Sequence, residues 1–488
     1  MAITNPLVLP EIREALAPFL PCNDLARCIK VCKAWHASFI PFLWKAIEVN
    51  AEHDKLPSLQ LLQRHCSSIE SLVYHGRIPK DHLTMHYPAL RTLLLLHVDQ
   101  ECKEDMSIFL AHSPLTHLEL RREPRESIIF RWIIPTSLAS LTTLRLTGIS
   151  LLTLNIDGFW RLCSQLETMD LDRMLLIFPD PPTTPWKMKD LSLTLIQGMT
   201  PLEQLSWISR CPDLRCLKWD TRPQTFPRDD FVQSLMTNTW PKLEDLHLER
   251  SGASDRQMSL IIGGMRRIIG LSVSRTQVRV QAQAALRFHF PWLRRLNIVL
   301  NITETSEFIV EVLRSCPQLE SLKADSISGD YFLDDTPWAC ERSLKTLEIC
   351  FEISSTPWDK DRQQRAIVKR LMRLSSLERL DLTDPQTRTH GGPSGLEFRL
   401  ERGLEQLATL TRLKEIVFYP KIEQLAMEDV EWMIKHWKNL KSVEGKLSLK
   451  DVSESLRLAN KFSEAGIDTK MIVDQSSLIL SYIAKKAK

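Results

Sequence analysis

The chain has 488 residues, with 43% hydrophobic and 25% charged residues, which are the proportions of a folded globular protein. Its net charge of +3 is small for this length and gives no electrostatic case for nucleic acid or an acidic membrane as the main partner. No apolar run approaches the roughly 18 residues of a spanning helix, and Glu11 and Arg13 stand where a signal peptide needs its apolar region. A soluble, intracellular protein of the cytoplasm, the nucleus or both is expected, its eleven cysteines remaining thiols because they lack disulfide-framework spacing.

Leu9-Pro10 precedes an amphipathic run in which Ile12, Leu16 and Leu20 recur at one-turn spacing, and Pro is pre-set for a first helical position. Pro18 stands inside this run, so the helix is expected to kink or stop early. After Pro21, Asn23 or Asp24 can cap a second helix. Leu25, Cys28/Ile29, Cys32, Trp35/His36 and Phe39 then give an apolar face of period 3.6. Pro41 marks a break, and Leu43-Trp44 begins a third short piece. Three such helices cannot bury much surface alone and call for completion by a partner or by the rest of the chain.

This stretch resembles the F-box, by which substrate receptors of SCF-type cullin–RING ubiquitin ligases hold a Skp-family adaptor. The likeness is carried by Leu9-Pro10, Ile12, Leu16, Leu20, Asp24-Leu25, Cys28, Val31-Cys32-Lys33, Trp35 and Leu43-Trp44, in order. It implies that Leu9, Pro10, Ile12, Leu16, Leu20, Leu25, Cys28, Val31, Cys32, Trp35, Leu43 and Trp44 bind the adaptor, and through it a cullin. His36 stands where the family often has Arg.

A connecting segment follows, with Leu56, Leu59, Leu62 and Gln63 suggesting a short helix. Then an L-x-x-L-x-L pattern begins. Its first apolar residues are Ile69, Leu90, Leu115, Leu141, Leu166, Met188, Leu214, Leu243, Ile268, Leu293, Leu319, Leu344, Leu377, Leu413 and Leu440. The mean spacing of these fifteen copies is about 26.5 residues, within the period of leucine-rich repeats. The alternating end of each copy predicts a short strand with its leucines inward, and the remainder a helix or irregular return that buries its face only against neighbouring copies. The pattern resembles an α/β leucine-rich-repeat solenoid, with a parallel concave sheet and a helical convex side. The expected organisation is an F-box over 1–50, a connecting helix over 51–67, repeats over 68–449 and a C-terminal cap and tail over 450–488, with helices over 451–465 and 476–484. The Asn or Cys that usually follows the strand is mostly missing, though Asn301 fits.

Cys66, Cys163, Cys211 and Cys316 each fall three residues before a first apolar residue, where a small thiol suits a buried bend. Pro114, Pro212, Pro241, Pro291 and Pro317 end the returning segments nearby. Cys28, Cys32 and His36 have one-face spacing for a metal, but no second ligand pair accompanies them, and a buried helix face is the expectation. His390-Gly391-Gly392 has no nucleophile elbow beside it, and no nucleotide, zinc-protease or redox motif is present. No cofactor, metal or catalytic residue is therefore assigned, and no enzyme is expected. Trp160, Trp207, Trp240 and Trp437 fall in returning segments, where packing explains them better than base stacking.

The outward strand row reads Glu119, Arg145, Asp170, Ser192, Lys218, His247, Ser272, Asn297, Lys323, Glu348, Asp381 and Val417. Mixed charge there suits a protein target and not a polyanion. Spacing stretches to 33 residues after Leu344 and 36 after Leu377, the latter including the 384–395 loop. Loops longer than their structural duty are commonly functional. A target site is expected on the last five copies, using Lys323, Glu348, Arg379, Asp381, Arg388 and His390. The family likeness implies a substrate receptor for ubiquitination and proteasomal degradation; a repeat-based interaction scaffold outside a ligase is the alternative.

Overall fold

The structure is a computed structural model. It describes residues 6–50, 57–76, 78–96, 110, 114–121, 138–151, 156–177, 183–221, 226–299, 306–354, 356–383, 395–418, 425–445, 447 and 452–471. Two compact units are present: Met1–Thr221 with Thr239–Lys242, and Arg222–Asn238 with Leu243–Lys488.

The first unit opens with three helices, α1 (Pro10–Leu16), α2 (Cys22–Cys28) and α3 (Lys33–Leu43). Pro10 takes the first position of α1, and a 3-10 turn over Ala17–Phe19 replaces the helix at Pro18. The expected single helix from about residue 23 to Phe39 is divided. Cys32 adopts extended angles (φ −163, ψ 171) ahead of α3, following the β-branched pair Ile29 and Val31, which fit a helix interior poorly. The expected break at Pro41 is absent: α3 runs through it to Leu43. Leu43-Trp44 begins no third helix but leads into a strand, β1 (Ala46–Val49).

The rest of this unit is α4 (Leu59–His65), β2 (Ser71–Tyr74), α5 (Lys80–Leu83), β3 (Thr92–Leu95), β4 (His117–Arg121), β5 (Thr143–Thr147), β6 (Ser150–Leu151), α6 (Ile156–Gln165), β7 (Thr168–Asp172), β8 (Leu175–Leu176), β9 (Asp190–Thr194), α7 (Pro201–Ser209) and β10 (Cys216–Asp220). Strands β1, β2, β3, β4, β5, β7, β9 and β10 pair in that order, all parallel. The short β6 and β8 form a separate parallel pair. Thr200 caps α7 by a capping box with Glu203, and Pro201 opens it.

The second unit contains α8 (Arg228–Met236), β11 (Asp245–Glu249), α9 (Asp255–Gly264), β12 (Gly270–Ser272), α10 (Val280–Arg287), β13 (Arg295–Asn297), α11 (Ser306–Ser315), β14 (Ser321–Ser328), β15 (Thr346–Glu352), α12 (Pro357–Leu371), β16 (Arg379–Asp381), β17 (Glu415–Phe418), α13 (Met427–His436), β18 (Ser442–Gly445), α14 (Val452–Glu464) and β19 (Asp468–Met471). Its strands pair consecutively and in parallel from β11 to β19. The chain is thus α/β, with parallel strands returned by helices and irregular segments.

In all fifteen copies the strand begins two residues after the first apolar residue. Those fifteen residues are no more than 6% exposed. The register is held by a repeated backbone device. In most copies the carbonyl after the first apolar residue accepts two N–H groups of the next copy, as Glu70 O does from Arg91 (2.8 Å) and Thr92 (2.9 Å), and Lys45 O ahead of β1 does the same with Glu70 (2.9 Å) and Ser71 (3.0 Å). The second unit repeats this, as at Glu320 O with Lys345 (2.8 Å) and Thr346 (3.0 Å).

Trp160, Trp207, Trp240 and Trp437 are buried, Trp160 lying edge-on to Trp207 with centroids 5.1 Å apart. Cys163, Cys211 and Cys316 are buried, whereas Cys66 is only half-buried, its thiol donating to Gln63 O at 3.2 Å. Four of the outward strand positions are also buried: Glu119, Ser272, Asp381 and Val417. Leu56, Asn301 and the expected helix over 476–484 lie outside the described residues.

Candidate functional site

Two surfaces follow from this framework. The first is the N-terminal helical module. Its core is small: Ala17, Leu25 and Phe39 are buried, with Leu20, Cys28, Ile29, Trp35, Phe42 and Leu43 packed around them. The remaining apolar side chains have nowhere to go. Leu9 is 53% exposed and Val31 61%, and Pro10, Ile12, Leu16 and Cys32 are exposed with them. Phe19, which the sequence reading did not single out, is 83% exposed.

The twelve residues expected to meet an adaptor therefore divide. Leu25 is internal. Leu20, Cys28, Trp35, Leu43 and Trp44 are half-buried, Trp35 lying 5.5 Å from Phe39 and Trp44 stacking 4.5 Å from His65 between ring centroids. The other six form the open surface. The expected buried face of Cys28, Cys32 and His36 is not uniform, because the turn at residues 29–32 separates Cys28 from the helix carrying His36 and leaves Cys32 and His36 exposed.

Arg13 shapes this surface from beneath. It is 4% exposed, and its guanidinium donates to Ser38 Oγ (3.0 Å), Leu7 O (2.9 Å) and Val8 O (2.8 Å). Three charge-assisted bonds tie α1 to α3 and hold the chain entering Leu9. An Arg one turn after Leu9, amid apolar helix positions, was the available sequence signal. Below the Ala17–Phe19 turn lies a cavity of about 560 Å³, walled by Pro18, Leu20 and Phe42 on one side and by Lys45, Arg91 and His117 at the foot of β1 to β4.

The second surface is the strand face of the second unit. Arg379 sits between three carboxylates: its Nε donates to Glu348 Oε1 at 3.1 Å, one terminal nitrogen to Asp381 Oδ2 at 3.3 Å, and the other to Glu415. Lys323 reaches Glu348 at 2.8 Å. Lys323, Glu348, Arg379 and Asp381 are thus brought together on adjacent strands. Asp381, however, is no exposed contact. It is 3% exposed and accepts from Thr383 N (3.1 Å) and Thr383 Oγ1 (2.6 Å), a local turn that starts the long loop. Arg388 and His390 lie outside the described residues.

A further charge pattern runs along the residues immediately after the first apolar positions. Lys45 pairs with Glu70 (3.2 Å) and Lys189 with Glu167 (2.8 Å) in the first unit. In the second, Glu320 meets Arg294 (3.7 Å) and Lys345 (2.8 Å), and Glu378 meets Lys414 (2.7 Å). The hydrogen bonds from Lys345 and Lys414 hold the Glu320 and Glu378 carboxyls below their usual range. Alternating signs at one repeat position were visible in the sequence, but only once the strand phase is fixed.

Among the described residues, no helix is long and apolar enough to cross a membrane. No protein-family model matches the chain, and no curated protein matches it.

Proposed function

We propose that the chain is the substrate-recognition subunit of an SCF-type ubiquitin ligase. In this reading the N-terminal helices are an F-box holding a Skp-family adaptor and, through it, a cullin, while the repeats hold a protein target. The observation that carries it is the open apolar row of Leu9, Pro10, Ile12, Leu16, Phe19 and Val31 on helices whose own core is already filled. Such a surface is costly in water and marks a docking site. Apart from Phe19, these residues belong to the pattern that resembles the F-box.

The target would lie against Lys323, Glu348 and Arg379 of the strand face; the 384–394 part of the loop expected to take part lies outside the described residues. The chain performs no bond chemistry in this reading. It supplies proximity, placing the target beside a ubiquitin-charged enzyme inside the cell. The test is co-purification of the full chain with a Skp-family adaptor, repeated with Leu9→Ala, Ile12→Ala and Phe19→Ala combined. The wild type should hold the adaptor and the variant should lose at least about 2 kcal/mol of binding, with thermal unfolding unchanged. No adaptor on the wild-type chain would sink the ligase reading and leave the repeat scaffold.

A further inference from the structure

A large apolar groove opens on the helical side of the second unit, away from its strand face. It lies between α9 and α10 and encloses about 770 Å³. Gly263 of α9 and Ala284 and Ala285 of α10 make a shallow floor, and a Cβ built on Gly263 would meet nothing within 4 Å. Phe288, 80% exposed, and Trp292, 40% exposed, rise beside it. An aromatic pair left in water next to a preformed hollow is not needed to close the copy's own core, which Leu286, Phe290 and Leu293 already fill.

The groove is rigid underneath. His289, buried, accepts from Ile268 N at 3.2 Å through Nδ1 and donates to Ile262 O at 3.2 Å through Nε2, tying the turn after α10 to the end of α9. A fixed floor lowers the ordering cost of binding.

Charge selects the occupant. Arg266 is exposed and is the one charged side chain among the described lining residues, since His289 with an accepting Nδ1 is neutral; no described carboxylate lines the groove. The neighbouring arginines are already engaged, Arg267 with Glu244 at 4.0 Å and Arg287 with Glu311 at 2.6 Å. Trp, Phe and an uncompensated Arg around small residues form the composition of an energetic centre for protein binding.

We propose that this groove docks an amphipathic helical segment of a partner protein. Two apolar residues of the segment, one turn apart, lie against Phe288 and Trp292, and an Asp or Glu beside them meets Arg266. Small floor residues admit a helix at close approach, and the apolar face of the segment replaces water. The proposal does not depend on the ligase reading, because the groove is formed by α9, α10 and the turns that follow them.

The test is a display selection of helical peptides on the full chain, followed by fluorescence anisotropy with the synthesised winner. The expected winner carries an apolar pair at i and i+4 with a nearby carboxylate. Phe288→Ala, Arg266→Glu and Gly263→Leu, which fills the hollow, should each weaken it by at least about tenfold, without moving the thermal midpoint. No enriched peptide, or winners indifferent to all three variants, would overturn the proposal. So would winners that lack a carboxylate and ignore Arg266→Glu. Sedimentation closes the remaining case: a wild-type dimer abolished by Phe288→Ala would assign the groove to a second copy and overturn the partner helix.

Discussion

Gln364 holds Glu397 by both of its backbone groups. The Gln364 amide nitrogen donates to Glu397 O at 2.9 Å, and its oxygen accepts from Glu397 N at 3.1 Å. The Glu397 carboxylate is held as well, by Lys360 and by Arg402 Nε at 3.0 Å. With the Asp381–Thr383 turn, this fixes the backbone on both sides of residues 384–394, which lie outside the described residues. Replacing Gln364, which is 2% exposed, by Leu leaves two buried backbone groups without partners. Each such group costs about 1–3 kcal/mol. Urea unfolding should show a loss in that range or above, and the Glu397 amide should exchange faster with solvent. Unchanged exchange at Glu397 would contradict the role given to this pair.

Arg13 is predicted to matter more than the exposed residues it supports. Arg13→Met removes three hydrogen bonds from a charged donor, each worth about 1.5–3 kcal/mol in such settings. Arg13→Lys cannot rebuild them, because one ammonium does not match the geometry of a guanidinium fork. Both variants should loosen the N-terminal module, seen as faster proteolysis near Leu9, while leaving the repeat strands protected from exchange. Proteolysis of Arg13→Met at the wild-type rate would refute the staple.

The buried thiols make a prediction with a definite sign. Burial raises the Cys211 and Cys340 thiols from an ordinary value of 9.0 to about 12, and raises Cys163 and Cys316 as well. The folded state therefore keeps these protons after the unfolded chain has released them. Their contribution is complete below pH 9 and is lost as pH rises toward 12, by about 1.4 kcal/mol per thiol per pH unit. Urea unfolding at pH 8 and pH 10 should show a fall that is smaller in Cys211→Ala and Cys340→Ala. In the native protein at neutral pH a thiol reagent should label the exposed Cys22 and Cys32 and spare these four. Rapid labelling of Cys211 or Cys316 would show that the slot is open.

How much of this was legible in the sequence is clearest at the strands. Each first apolar residue, from Ile69 to Leu440, must be covered by the copies on either side, so an exact phase is written into the chain. The spacing Trp44, Ile47, Val49 carries the same signal for β1, hidden because Trp44 also completes the helical pattern before it. At β19 the leading residue is Gly466, and no apolar signal marks it.

Side-chain position within a copy was another matter. Strand alternation puts Glu119 and Asp381 on the outward row, and that is as far as a period of two can go. Whether an outward residue meets water depends on which side chains fold over it, from its own strand or from the next copy. Arg145 and Arg121 cover Glu119 at 3.6 Å and 2.5 Å, and Arg379 with Thr383 covers Asp381. The N-terminal module divides in the same way. Most of its apolar residues, Phe19 apart, were named by sequence, but the turn between Cys28 and Lys33, the guanidinium of Arg13 and the filled core around Leu25 decided which of them remain on the surface. Periodicity records where a side chain points; only packing of distant segments decides what it points at.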